Sequence, residues 1–178
     1  MQNLKLTIWM ALPLLAMIPT LRAGELPPES AGLRAGFSTR PANDRFVQTE
    51  LFTDWNLPWN LDWDKNWRLQ SQLELSAGWL NRQHADAFVG SLGPQLRLRR
   101  NALQLQFTAG VNLTLLSRHA FGDWNLGSPV QFTSHAGLHW SLNPRWEIGY
   151  RLQHMSNGGF RQPNPGLNLH MFSVSYHF

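Results

Sequence analysis

Along most of the chain, hydrophobic and polar residues take turns. Trp67, Leu69, Ser71, Leu73, Leu75, Ala77 and Trp79 interleave with Arg68, Gln70, Gln72, Glu74, Ser76 and Gly78. Leu103, Leu105, Phe107, Ala109, Val111, Leu113 and Leu115 alternate with Gln104, Gln106, Thr108, Gly110, Asn112 and Thr114, and the stretch from Val130 to Leu142 repeats the rule. Successive side chains of a strand point to opposite faces, so a period of two predicts strands with one apolar and one polar side. Residues 145–156 set Trp146, Ile148, Tyr150 and Leu152 against Glu147, Gly149, Arg151 and Gln153, and the chain end sets Phe172, Val174, Tyr176 and Phe178 against Ser173, Ser175 and His177. Fainter segments at 31–38, 46–55 and 85–99 bring the strands to eight. No amphipathic helix of convincing length is predicted beyond the N-terminal segment.

Strands of about ten residues exceed the five or six usual in soluble sheets and match the repeat of membrane-spanning barrels. A soluble sandwich would show the same alternation with its apolar face inward. Aromatic placement separates the two readings. Trp55, Trp59, Trp63 and Trp67 flank the turn after the second strand, and Trp140 and Trp146 flank Asn143-Pro144 after the sixth. Both groups fall at one end of a barrel, as an interfacial girdle would. The terminal Tyr176-His177-Phe178 resembles the C-terminal signature of bacterial outer-membrane barrels. The predicted fold is all-β, an eight-stranded antiparallel transmembrane β-barrel.

The N-terminus fits that destination. One Lys precedes the almost wholly apolar run 8–20, and Leu21-Arg22-Ala23 ends in a small residue, the layout of a secretory signal cleaved near Ala23. The apolar run is short for a membrane-spanning helix; a retained anchor helix is the alternative. The expected organisation is a signal peptide at 1–23 and a single barrel domain at 24–178. Of the 178 residues, 15 are Lys or Arg and 11 are Asp or Glu; without Lys5 and Arg22, 13 cations face 11 acids, a net charge of +2. With Arg97, Arg99 and Arg100 as the sole cluster, nothing argues for a nucleic-acid partner. The chain has no Cys, so neither disulfides nor thiolate metal sites are available. His135 and His139, four residues apart on an inward strand face, stand roughly 13 Å apart by the strand rise, too far to chelate one metal together. They read as lumen hydrogen-bonding groups, and Glu50, Glu74, Glu147, Arg68, Arg97 and Arg151 share their inward parity as a charge network filling the barrel. No metal and no cofactor is expected.

Candidate chemistry concentrates in Arg151-Leu-Gln-His-Met-Ser-Asn-Gly-Gly-Phe160. His154 and Ser156 share the outward face with Ile148, Tyr150 and Leu152, which joins a base and a hydroxyl on the lipid side. A hydroxyl attacks esters well when a neighbouring base takes its proton, and His titrates in the right range. With both termini on the periplasmic side, the loops 117–128 and 157–166 are expected outside, and 57–66 and Asn143-Pro144 inside. His154 and Ser156 then meet the outer leaflet. Polar side chains facing hydrocarbon cost free energy and invite a functional explanation, the alternative being a place at the headgroup boundary.

His154-Met-Ser156-Asn157-Gly-Gly159, followed by Asn164-Pro-Gly-Leu-Asn168 in the last hairpin, resembles the lipid A 3-O-deacylase family, PagL. The resemblance covers the architecture of the whole mature chain, with its specific part in 151–178. It implies a serine esterase of the bacterial outer membrane that hydrolyses the 3-O-linked 3-hydroxyacyl ester of lipid A in lipopolysaccharide. It further implies His154 and Ser156 as catalytic base and nucleophile, and the Asn157 side chain with the Gly159 N–H as oxyanion hole. The family's acidic third member, a Glu, falls at Asn168, where this chain departs from the pattern. An amide oxygen can still accept the His154 N–H and orient the ring, without the charge support of a carboxylate. The expected partners are the lipopolysaccharide substrate and outer-membrane lipid; a homodimer stays open. Two alternatives accompany this reading, an outer-membrane phospholipase-like esterase and a non-enzymatic small barrel serving adhesion or envelope integrity through its loops.

Overall fold

A computed structural model describes residues 27–40, 44–63, 66–100 and 103–178. The signal peptide expected at 1–23 lies outside the described residues. The elements are β1 (Ser30–Ser38), β2 (Phe46–Asp62), β3 (Trp67–Arg82), β4 (Ala85–Arg100), β5 (Leu105–Leu116), the two-residue strands β6 (Ala120–Phe121) and β7 (Trp124–Asn125), then β8 (Val130–Ser141), β9 (Trp146–Ser156) and β10 (Leu167–His177). Eight of them close into one barrel in the order β1-β10-β9-β8-β5-β4-β3-β2, every neighbour antiparallel. The expected eight-stranded antiparallel barrel is the fold observed. β6 and β7 pair only with each other, as a small hairpin inside the 117–129 connection.

Faces follow parity all round the wall. Outward positions are apolar and exposed: Leu51 is 67%, Trp79 56% and Phe172 53% accessible. In water such a continuous apolar surface would drive association, whereas in a bilayer it meets hydrocarbon, and the closed barrel leaves no strand edge unpaired. Trp59, Trp63, Trp140 and Trp146 are exposed at one end. At the other end Trp79 and Phe88 form an edge-to-face pair with centroids 5.5 Å apart.

The interior is filled, not open. Arg34 bonds Glu50 at 2.7 Å and Glu74 at 2.7 Å, and Arg151 reaches Glu74 at 2.9 Å and Glu50 at 3.4 Å, so two cations and two anions neutralise each other among buried groups. Arg97 pairs with Glu147 at 3.3 Å, and His139 Nδ1 lies 3.0 Å from the same carboxylate. Arg68 departs from the expected lumen network. β2 extends into the region read as a turn, through a register shift between Asn56 and Asn60, and carries the β2–β3 ribbon past the barrel end, where Arg68 is exposed and pairs with Asp62 at 2.7 Å.

Above the polar layer, toward the end that carries the 117–129 and 157–166 loops, the interior turns apolar. Phe46, Leu80, Val89, Leu116, Met155, Leu167, Leu169 and Met171 form a buried cluster with Phe121 and Leu126 of the hairpin connection. This apolar plug folds the β6–β7 hairpin over the barrel mouth. Arg82 latches it, bonding the Phe121 carbonyl, Asp44 and, at 2.7 Å, Asp123.

Candidate active site

The β8–β9–β10 meander places β9 between β8 and β10, and register decides which side chains meet. Asn168 on β10 is the direct partner of His154 on β9. Their outward side chains touch: His154 Nδ1 stands 2.7 Å from Asn168 Oδ1. A carbonyl oxygen only accepts, so Nδ1 carries the proton and Nε2 keeps its lone pair, the tautomer a general base needs. Gly166, with φ 66°, lies against the other side of the ring. A Cβ there would come within 2.8 Å of His154 Cε1, so glycine answers both the backbone conformation and the space.

Ser156 follows two residues on, on the same face and half-buried at the rim. Among the described residues no hydrogen bond joins it to His154; catalytic bonds commonly tighten when substrate binds. The partner of Ser156 on β8 is Phe132, and Phe160 from the 157–166 loop packs on Phe132 with centroids 6.1 Å apart. The hydroxyl therefore stands between a polar pair and an aromatic wall. Sequence spacing could not show this wall, because Phe132 reaches Ser156 only through the pairing of β8 with β9.

Asn157 turns inward and is 1% exposed. Its Nδ2 donates to the carbonyls of Leu126 at 3.0 Å, Arg161 at 2.9 Å and Pro163 at 3.3 Å, while its Oδ1 accepts the Gly159 N–H at 2.9 Å. Its backbone N–H donates to Asn164 Oδ1 at 3.1 Å. One amide thus ties the loop after Ser156 to itself and to the hairpin connection. Both groups expected as oxyanion donors are occupied by each other or by carbonyls. Gly159 is exposed with φ 81° and open space around its Cβ position, and its N–H is the member with room to turn. No group of three or more His, Cys, Asp or Glu among the described residues could hold a metal.

Fold and site together define a small bilayer-type β-barrel that carries a His–Asn pair and a serine on its outer wall. The profile of the lipid A 3-O-deacylase (PagL) family matches residues 47–177, and the chain belongs to that family. Over 70 residues it is 41% identical to a lipid A deacylase PagL of Bordetella bronchiseptica, a stretch covering 39% of each chain. Over 59 residues it is 36% identical to a lipid A deacylase PagL of Pseudomonas aeruginosa, covering 33% of this chain and 34% of that one. The matched stretches thus span between a third and two-fifths of these curated relatives. The crystal structure of an outer membrane enzyme PagL superposes with a TM-score of 0.74 at 19% identity, over 84% of this chain and 99% of that one, a likeness of fold.

Proposed function

We propose that this protein is a lipid A 3-O-deacylase of the bacterial outer membrane, delivered there by a leader at 1–23 and folded from 24–178, with the 117–129 and 157–166 loops on the outside. The observation that carries the proposal is the outward His154–Asn168 pair, 2.7 Å apart beside Ser156 at the lipid-facing rim. Soluble hydrolases bury such groups in a cleft; here they face the leaflet in which a lipid ester lies.

In the proposed reaction, Ser156 Oγ attacks the acyl carbonyl as His154 Nε2 takes its proton. The tetrahedral intermediate collapses, the C–O bond to the sugar breaks, and His154 returns the proton to the sugar oxygen. Water then enters by the same route, with His154 as base, and releases the 3-hydroxy fatty acid while Ser156 regains its proton. Asn168 orients His154 and selects its tautomer, but as a neutral amide it lends the imidazolium less support than a carboxylate would. For the oxyanion, the proposed donors are Gly159 N–H and Asn157. The Gly159 N–H becomes available when its bond to Asn157 Oδ1 opens on substrate binding, and the Asn157 amide N–H when it releases one of the carbonyls it binds.

Mass spectrometry of lipid A from cells expressing the protein tests this. Loss of one 3-hydroxyacyl group from position 3 is expected with the parent, and none with Ser156→Ala or His154→Ala, each still folded. Activity retained in both variants rules out these residues. Lysophospholipid appearing with lipid A unchanged would instead identify a phospholipase.

A further inference from the structure

Arg45 stands where the chain enters β2, on the outward side: Phe46 after it is fully buried and Val47 beyond is exposed. Its guanidinium carbon lies 4.9 Å above the centre of the Phe37 ring, and its Nε donates to the Arg40 carbonyl at 3.4 Å. These contacts hold the planar group without using its terminal NH2 donors. Among the described residues it has no acid partner, whereas Arg40 is paired with Asp44 and Arg82 with Asp44 and Asp123. Arg118 and Arg161 are also exposed at this rim, but among the described residues no contact orients their side chains, so each would lose its full rotamer freedom on binding an anion.

The position is connected to the site. The Phe37 ring lies 6.2 Å from the His170 ring, and His170 follows Asn168 by two residues on the outward face. An outward row therefore runs from Arg45 over Phe37 and His170 to the Asn168–His154 pair. Two strands, β1 and β10, separate β2 from β9. At the usual ~4.8 Å per strand, Arg45 stands about 14 Å around the wall from His154, with which register aligns it, and about 16 Å from Ser156, two residues further along β9. That is a span within reach of a disaccharide headgroup lying flat on the rim.

We infer that Arg45, held over Phe37, binds a phosphate on the sugar backbone of the lipid whose acyl ester lies at Ser156. Guanidinium matches phosphate in a bidentate fork, and the Phe37 ring with the Arg40 carbonyl restrains the side chain before the ligand arrives. Lipid A carries phosphate on its sugars, so the contact would set which way the headgroup lies and which ester faces the serine. This rests on the esterase reading of Ser156.

The test is hydrolysis of bisphosphorylated lipid A, and of the same lipid A stripped of phosphate, in neutral detergent by the parent, Arg45→Gln and Arg45→Lys. The parent should prefer the phosphorylated substrate by about tenfold in kcat/KM, mostly through KM, the order one charge-assisted contact supplies. Arg45→Gln should erase the preference, Arg45→Lys should keep part of it, and all three should cleave the stripped substrate alike. Excess phosphatidylglycerol should leave the parent's preference standing; its abolition would show that Arg45 takes any lipid phosphate and would overturn the assignment to substrate. A preference intact in Arg45→Gln, or equal loss on both substrates, overturns it too. Retention of the two lipids on a Ser156→Ala protein, read by native mass spectrometry with and without Arg45→Gln, separates the two claims. Arg45-dependent retention supports this inference even if no turnover is found, while retention indifferent to Arg45 defeats it alone.

Discussion

Replacing Asn168 with Ala removes the acceptor 2.7 Å from His154 Nδ1 and leaves the ring free to rotate and to take the unproductive tautomer. A hydrogen bond to a group that becomes charged is worth about 1.5–3 kcal/mol, which corresponds to roughly 10- to 150-fold in rate. Exchanging a triad carboxylate for an amide costs a serine protease about 10⁴-fold by favouring the wrong tautomer, but here the amide oxygen faces Nδ1 and selects the productive one, so the smaller figure governs. We expect kcat for lipid A to fall about 10- to 100-fold with KM little changed, because an unoriented base fails mainly in the transition state. Asn168 is exposed, so stability should shift by no more than about 0.5 kcal/mol. Asn168→Glu should retain or modestly raise activity: it supplies the carboxylate, but its extra methylene must fit a contact that leaves no slack. Time courses of fatty-acid release at several lipid A concentrations read both constants. An Asn168→Ala enzyme with unchanged kcat would refute the role given to Asn168.

Three further outcomes are expected. Gly166→Ala should lower kcat by displacing His154, since the new Cβ would lie 2.8 Å from Cε1, and should cost about 1 kcal/mol at a residue with φ 66°; full activity would show that the ring has room to spare. Glu74→Ala strips a shared partner from buried Arg34 and Arg151 and should destabilise the barrel by about 3–5 kcal/mol, seen as a lower temperature for loss of the compact electrophoretic form in fixed detergent. Glu29, held down to about 2 chiefly by neighbouring His177, whose Nδ1 lies 3.8 Å away, and, against burial, by Arg99, stabilises the fold above the ordinary value of 4.5, and that contribution is lost as pH falls toward 2. Melting temperatures across this window should depend less on pH in Glu29→Gln, and equal slopes for the two proteins would contradict the assignment.

Much of the architecture was legible in the residues themselves, because a strand's period of two converts local order directly into faces. Alternation marked the lipid side and the lumen side of β3, β5, β8 and β9, and the paired Trp residues marked one end. The same parity put His154, Ser156 and Asn168 on one outward face. It could not fix register, which depends on how two strands pair. Strand pairing set Asn168 directly across from His154 and Phe132 across from Ser156, and closure set Glu74 between Arg34 and Arg151. Parity also ends where a strand outruns the barrel, which is why Arg68 lies outside the lumen network. Loops obey no period at all. The apolar plug around Phe121 and Leu126 and the inward turn of Asn157 arise from burial and unpaired carbonyls that exist only once the barrel has closed. Local periodicity thus determined which way each strand residue points, while the tertiary structure decided what it meets there, since a contact requires two segments and a sequence pattern describes one.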